Sequence, residues 1–209
     1  MLAYKFLDAT FGLKSLSERR LKISTLEDLN DPFELMPFDL RNRANRLAVK
    51  RARDQLAAKR GMLCFSATWK DPVLWAHYAD KHRGLCIGFE IPDQAAVTRL
   101  VEYVPNRLPF PLSLGLADIE RMLFTKFQNW EYEQEVRIFL ALNDRENGLY
   151  FRSFDNLLNP VVVIAGARCT LPKQTLRTAL GVFSRTVKLI KSRAGFRSFE
   201  VVVDKRGFR

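Results

Sequence analysis

Short stretches of this chain alternate hydrophobic and polar residues with a period of two, which is typical of half-buried β-strands. Strands are predicted at 2–7, 21–24, 62–66, 85–90, 101–104, 136–140, 149–151, 160–166, 187–190 and 199–203. Helical spacing predicts fewer helices, at 39–61, 72–83, 118–127 and 172–180, with a helical turn at 15–20. This pattern predicts an α+β fold with a mixed or antiparallel β core of short strands flanked by helices.

The polar pattern is most unusual between Lys126 and Leu140. Period-two spacing predicts a strand with an apolar side and a charged side. The charged side carries Glu131, Glu133, Glu135 and Arg137. Neighbouring carboxylates repel one another, and they are costly to desolvate unless they are paired. Two interpretations stay open: Lys126 and Arg137 neutralise the carboxylates in a structural network, or the carboxylates take part in chemistry.

Aromatic residues are concentrated in the predicted helix at 72–83, which Asp71 is expected to cap and Gly84 to end. An aromatic stripe of this kind usually packs into the core. However, Trp75, His77 and Tyr78 also carry polar groups of the sort that ligand-stacking pockets use, so both interpretations stay open. Upstream, the segment 30–34 is predicted to be a stiff turn.

The composition adds an excess of positive charge. The 209 residues are 47% hydrophobic and carry a formal net charge of +11. We expect a single domain, 1–209, with a basic helical insertion at 39–61 and a basic tail at 204–209. The charge favours an anionic partner, either nucleic acid or a dinucleotide. The candidate nucleic-acid-binding residues are Arg43, Arg51, Arg53, Lys59 and Arg60.

Several classes of protein are disfavoured by the same sequence. No apolar run approaches the roughly 18 residues of a membrane span, and the N-terminus lacks the features of a secretory signal. The cysteines Cys64, Cys86 and Cys169 are scattered in apolar contexts, which indicates reduced core cysteines. We therefore expect a cytoplasmic protein with no membrane association and no bound metal.

Several segments together resemble the bacterial family called domain of unknown function 2971. The segments that carry the resemblance are 21–24, Asn30-Asp31-Pro32-Phe33-Glu34, 63–66, 75–80, 82–84, 87–89, and Lys126 with 130–137. They span about residues 4 to 168. The family name implies no established activity.

A more distant resemblance is to ADP-ribosyltransferase folds, in which a first-strand residue, a Phe-x-Ser-Thr-like element and a late Glu-x-Glu surround NAD. Tyr4, Phe65-Ser66-Ala67-Thr68 and Glu133-Gln134-Glu135 are similar in type and order, although the first strand has Tyr4 or Lys5 in place of Arg or His. The resemblance implies that NAD is a substrate, that Glu135 is catalytic and that Glu133 orients or deprotonates the acceptor. The NAD-binding residues that it implies are Tyr4, Ser66, Trp75, His77, Tyr78 and Lys126.

Three functions are therefore in competition. The leading one is an NAD-consuming enzyme, either ADP-ribosyltransferase-like or an NAD glycohydrolase, of a bacterial toxin or phage-defence kind with a nucleic acid or nucleoprotein target. The second is a non-catalytic nucleic-acid-binding module that uses 41–60 and the tail. The third is a metal-dependent nuclease, because carboxylates suit Mg²⁺. Its ligands would be Asp31, Glu34, Glu133 and Glu135.

Overall fold

The structure is a computed structural model that describes residues 1–92, 98–155 and 157–208. The chain forms two compact units. The first contains the described residues within 1–21, 65–96 and 152–209, and the second contains those within 22–64 and 97–151. Both units combine helices with mostly antiparallel strands, so the predicted α+β class is confirmed. Likeness to the ADP-ribosyltransferase fold stays a prediction.

The strands are short, as the period-two stretches predict. They are β1 (Leu2–Leu7), β2 (Arg20–Ile23), β3 (Arg60–Ser66), β4 (Leu85–Glu90), β5 (Thr98–Leu100), β6 (Glu102–Val104), β7 (Thr125–Phe127), β8 (Glu135–Ala141), β9 (Arg145–Glu146), β10 (Leu149–Ser153), β11 (Asn159–Ala165), β12 (Lys188–Ala194) and β13 (Val201–Val203). The helices are α1 (Ala9–Glu18), α2 (Arg43–Ala57), α3 (Pro72–Tyr78), α4 (Leu116–Phe124) and α5 (Lys173–Leu180), with 3₁₀ helices at Gln128–Glu133 and Gly181–Arg185.

In the first unit, β1 and β11 pair antiparallel with opposite edges of β4. β12 pairs parallel with β11, and β13 pairs antiparallel with β12. β4 is buried from Leu85 to Phe89, which explains its nearly continuous apolar sequence. Tyr4 on β1 lies opposite Ser66 at the end of β3.

Two helices of this unit differ in length from the predictions. The helix predicted as a turn at 15–20 begins earlier, at Ala9, because Asp8 caps it by accepting a hydrogen bond from the Phe11 N–H at 2.8 Å. The Asp71 cap of α3 is confirmed, with Pro72 at the first position. However, α3 ends at Tyr78, because residues 80–82 turn the backbone into the left-handed region.

In the second unit, β8 pairs antiparallel with β5, and β6 pairs parallel with β7. The basic helix predicted at 39–61 is shorter in the structure, because α2 runs from Arg43 to Ala57 and β3 begins at Arg60. α2 buries Val49 against Phe38 and Met122. A second apolar cluster brings together Leu26, Leu35, Met62, Phe124 and Phe139. These contacts hold the polar segments around β7 and β8 in place.

The strand faces predicted from Glu131 to Arg137 are wrong before Glu135, and the helix predicted at 118–127 ends at Phe124, because residues 125–127 form β7. The chain leaves β7 at Phe127, forms the 3₁₀ helix Gln128–Glu133, and enters β8 through Gln134, whose φ is 42°. This reversal lets Lys126 approach carboxylates on both sides of the turn, and this ion pairing opposes the local preference for a strand. Glu131 is consequently exposed, whereas Glu133 and Glu135 are buried.

Candidate functional site

A buried ionic cluster lies in the second unit. The Lys126 Nζ is 2.7 Å from a carboxylate oxygen of Glu133, 3.1 Å from one of Glu34 and 3.2 Å from one of Glu135. The Arg137 Nη2 lies 2.8 Å from oxygens of both Glu34 and Glu135. Arg137 is 0% exposed, and no member of the cluster exceeds 7%. The cluster thus joins three carboxylates to two cations, and all five side chains are largely shielded from solvent.

Local structure fixes each member of this cluster. Glu135 and Arg137 are two residues apart on β8, so their side chains leave the same face of the strand, as period-two spacing predicts. The Glu135 N–H donates to the Tyr103 hydroxyl at 2.8 Å, and the Arg137 Nη1 donates to the Leu123 carbonyl at 2.8 Å. The Lys126 Nζ also lies 4.6 Å from the centre of the Trp130 ring.

The segment 30–34 supplies Glu34 from a tight turn. The Asp31 Oδ1 accepts a hydrogen bond from the Phe33 N–H at 2.9 Å, and the Asp31 carbonyl accepts one from the Glu34 N–H at 3.1 Å. The turn predicted at 30–34 is therefore confirmed, with Asp31 bonded to the backbone that follows it. It directs Glu34 towards Arg137, which is 103 positions away in the chain.

Electrostatics keep the cluster ionised. Burial alone would raise the pKa of Glu135, but the charge and hydrogen bonds of Arg137, together with Lys126, lower it to about 2. Burial alone would also lower the pKa of Lys126, but attraction to Glu135, Glu34 and Glu133 raises it instead. Arg137 has a raised pKa for the same reason, with Glu135 and Glu34 opposing burial. A proton therefore does not move readily between Glu135 and the two cations near neutral pH.

A cavity of about 350 Å³ adjoins the cluster within the second unit. Its walls are mainly apolar, with Lys126 and Glu34 belonging both to the cluster and to the cavity. The lining residues are Asp31, Phe33, Glu34, Met36, Pro37, Val104, Pro105, Asn106, Arg107, Thr125, Lys126 and Phe127. Phe33 is 61% exposed and Phe127 is 44% exposed, which is unusual for phenylalanine and leaves aromatic surface available.

Arg107 adds a positive group to the cavity wall. Its guanidinium lies 5.5 Å from the centre of the Phe33 ring. Its Nη1 donates to the carbonyls of Met36 and Phe38, which fixes the side chain although it is exposed. Sequence reasoning missed this cavity, because its wall brings together distant segments around residues 31–37, 104–107 and 125–127. The polar segment 30–34 was its main sequence signal.

The predicted site residues fall into two groups. Lys126, Glu133 and Glu135 come together in the cluster just described. The predicted NAD contacts in the first unit are Tyr4, Ser66, Trp75, His77 and Tyr78.

Within that first unit, Trp75 is 0% exposed and its indole N–H donates to the Trp69 carbonyl at 2.6 Å. The Trp75 ring stacks on His82, with centroids 6.2 Å apart. Trp75 consequently offers no surface to a ligand, which is the behaviour of a core residue. His77 is exposed and Tyr78 is half-buried, and their rings meet edge to face.

Three of the four carboxylates proposed as nuclease ligands, Glu34, Glu133 and Glu135, are held by protein cations. The Lys126 ammonium lies within 3.2 Å of Glu34, Glu133 and Glu135, so a metal ion at that point would have to displace it. Within residues 1–92, 98–155 and 157–208, no group of three or more His, Cys, Asp or Glu side chains has an arrangement that suits a metal ion.

Basic side chains of α2 and of the segment that follows it lie at the surface. Arg43, Arg51, Lys59 and Arg60 are exposed, and Arg53 is half-buried. In the part of the chain that the structure describes, none of these side chains forms an ion pair, whereas Lys50 pairs with Asp54 on the same helix at 2.7 Å. These residues therefore keep their charge available for an anionic partner.

Comparison with family models, with curated proteins and with solved structures found no match to this chain. The two resemblances based on sequence motifs accordingly stay predictions. No helix in the described ranges is both long enough and apolar enough to cross a lipid bilayer.

Proposed function

We propose that the protein is an NAD-consuming enzyme, either ADP-ribosyltransferase-like or an NAD glycohydrolase, with its reaction centre in the second unit. The observation that supports this most is that one wall of the cavity is also part of the ionic cluster. Glu34 faces the cavity and is bound to Lys126 and Arg137, which in turn hold Glu133 and Glu135. Carboxylates fixed in this way need little reorganisation when positive charge develops nearby.

The reaction would break the bond between the ribose C1′ and the nicotinamide nitrogen. The electron pair of that bond goes to the nitrogen, so nicotinamide leaves as a neutral molecule and the ribose becomes an oxocarbenium-like cation. Water or an acceptor nucleophile then bonds to C1′ and loses a proton. In this proposal Glu34 presents its charge to the ribose, while Glu135 and Glu133 act through Arg137 and Lys126.

Nicotinamide release from NAD, measured by chromatography with and without added RNA, DNA or cell lysate, tests this proposal. We expect release by the unaltered protein and a decrease of at least about 100-fold in Glu34→Gln, in line with the loss of one preorganised electrostatic group. Glu135→Gln should decrease release as well. Glu120→Gln is the matched control, because Glu120 is an exposed partner of Arg99.

Melting curves of each variant would separate lost chemistry from lost folding. If the unaltered protein is folded and releases no nicotinamide in any mixture, the proposal is contradicted. Full activity in a folded Glu34→Gln variant would remove the role of Glu34.

The second candidate function is nucleic-acid binding by α2 and the residues that follow it. It is favoured by Arg43, Arg51, Lys59 and Arg60, which are exposed and form no ion pair within the described residues. Binding to a labelled oligonucleotide should weaken steeply with salt, and each basic residue replaced by Gln should reduce the slope by about one counterion. Binding that depends on Glu34 but not on these residues would contradict this function.

A further inference from the structure

We propose that the cavity beside the ionic cluster binds a planar organic cation, such as an N-alkylpyridinium group. This inference rests on the proposed function and deepens it, because the nicotinamide ring of NAD is such a cation; it assigns the part of the cavity that holds that ring, and its test does not require that any bond is broken. It follows from an imbalance of charge in the cavity wall and from the aromatic surface beside it.

Asp31 is the first part of this imbalance. Its side chain lines the cavity, the residue is 6% exposed, and its Oδ1 accepts a hydrogen bond from the Phe33 N–H. Among the described residues, no cationic side chain lies within 4 Å of the Asp31 carboxylate. A buried carboxylate without a counter-ion is costly, so this wall favours a positive group supplied from outside.

The ionic cluster is the second part. Its three carboxylates face two cations, which leaves one negative charge in excess beside the cavity. Lys126 does not reverse this balance, because three carboxylates and the Trp130 ring surround its ammonium group. With Asp31 included and the Arg107 guanidinium counted against it, the cluster and the cavity wall together carry one negative charge in excess.

The remaining walls decide between an organic cation and a metal ion. A divalent ion needs about six to eight oxygen ligands or several retained waters. Here the lining also includes apolar side chains of Met36, Pro37 and Val104. The exposed rings of Phe33 and Phe127 provide the faces that attract a delocalised cation.

Arg107 supports the same choice. Its guanidinium, itself a planar cation, lies over the Phe33 ring at 5.5 Å, so an aromatic ring of this wall already holds that type of group. Because like charges repel, a ligand cation would stack on the Phe127 ring instead. The cavity volume of about 350 Å³ is within the range of small-molecule sites and accommodates a substituted aromatic ring.

Calorimetric titration with three probes tests the inference: 1-methylnicotinamide as the cation, nicotinamide as the neutral form of the same ring and amide, and Mg²⁺ alone. We expect the cation to bind at least about tenfold more tightly than nicotinamide. Equal affinity for the two ring compounds would overturn the proposal. Binding of Mg²⁺ that blocks the organic cation would also overturn it, and so would absence of cation binding at about 10 mM.

Asp31→Asn isolates the charge, because an asparagine Oδ1 also accepts the hydrogen bond from the Phe33 N–H. We expect about tenfold weaker binding of 1-methylnicotinamide and unchanged binding of nicotinamide. The matched control is Asp71→Asn. Asp71 precedes Pro72 as Asp31 precedes Pro32, and its Oδ1 accepts from the Val73 N–H at 2.7 Å.

Phe127→Leu provides an independent test if Asp31→Asn disturbs folding, since the ring is 44% exposed. It should weaken binding of the cation several-fold, whereas Phe11→Leu, at a ring that is 60% exposed on α1, should leave it unchanged. Equal effects of both Phe variants would refute the aromatic contribution. If 1-methylnicotinamide binds but NAD is not turned over, the proposed function is contradicted and this inference is not. If NAD is turned over but the cavity does not prefer the cation, this inference is contradicted and the proposed function is not.

Discussion

The aromatic residues of α3 (Trp75, His77 and Tyr78) and the ionic cluster around β8 both combine polar groups with apolar surroundings. Only the ionic cluster carries a net charge. In the first unit, Trp75 is fully buried and its N–H is satisfied by the Trp69 carbonyl. In the second unit, Glu34 is paired and still faces a cavity, and Asp31 has no counter-ion among the described residues. Charge without a counter-ion therefore lies next to open space in the second unit and not at Trp75, and for this reason we place the proposed binding site in the second unit.

The largest expected effect comes from removing the cation that holds the cluster together. Arg137→Met should lower the free energy of unfolding by about 3–5 kcal/mol, because Glu34 and Glu135 would lose a fully buried partner. Urea denaturation at neutral pH measures this change. Arg99→Met is the control, since the exposed pair of Arg99 with Glu120 contributes less than about 1 kcal/mol. A loss below about 1 kcal/mol in Arg137→Met would show that the cluster is no more cooperative than a surface pair.

Acid should weaken the same cluster without any substitution. The pKa of Glu135 is about 2 in the folded protein, against 4.5 for an ordinary glutamate, because Arg137 and Lys126 outweigh burial. A carboxylate with a lowered folded pKa stabilises the fold fully above about pH 4.5 and loses that contribution as the pH falls towards 2. The loss is on the order of 3 kcal/mol.

Urea midpoints between about pH 6 and pH 3 would measure this decline. Glu120→Gln should show the same decline as the unaltered protein, because its carboxylate is exposed. Constant stability over that range would mean that Glu135 is not held ionised, and the contrast with the neutral surroundings of Trp75 would disappear.

Sequence patterns predicted the strands well where one face is buried, as at β1 and β4. They failed around Gln134, because the left-handed turn there depends on ion pairs with Lys126 that a local pattern does not contain. The structural network of Lys126 and Arg137 was one of the two interpretations open from sequence. Its partner Glu34 was not predictable as such, because a separation of 103 residues leaves no periodic signal.

The smallest expected effect compares the two Asp-Pro turns directly. Asp31→Asn keeps the hydrogen bond from the Phe33 N–H and removes a buried charge that has no counter-ion within 4 Å among the described residues. The substitution should therefore stabilise the ligand-free protein by about 1 kcal/mol. Asp71→Asn should change stability by less than about 0.5 kcal/mol, since aspartate and asparagine cap helices equally well.

Thermal melts at neutral pH, with and without 1-methylnicotinamide, would measure both variants. A cation that binds the native state raises stability in proportion to its affinity, so the unaltered protein should gain more from it than Asp31→Asn. Asp31→Asn should thus be more stable than the unaltered protein without the ligand and should gain less stability when the ligand is added. This result would indicate that Asp31 favours ligand binding and lowers the stability of the fold. If Asp31→Asn instead destabilised the ligand-free protein as strongly as a core substitution, the Asp31 carboxylate would have a structural role, like the hydrogen-bonded indole of Trp75. Charge imbalance would then not distinguish the two regions.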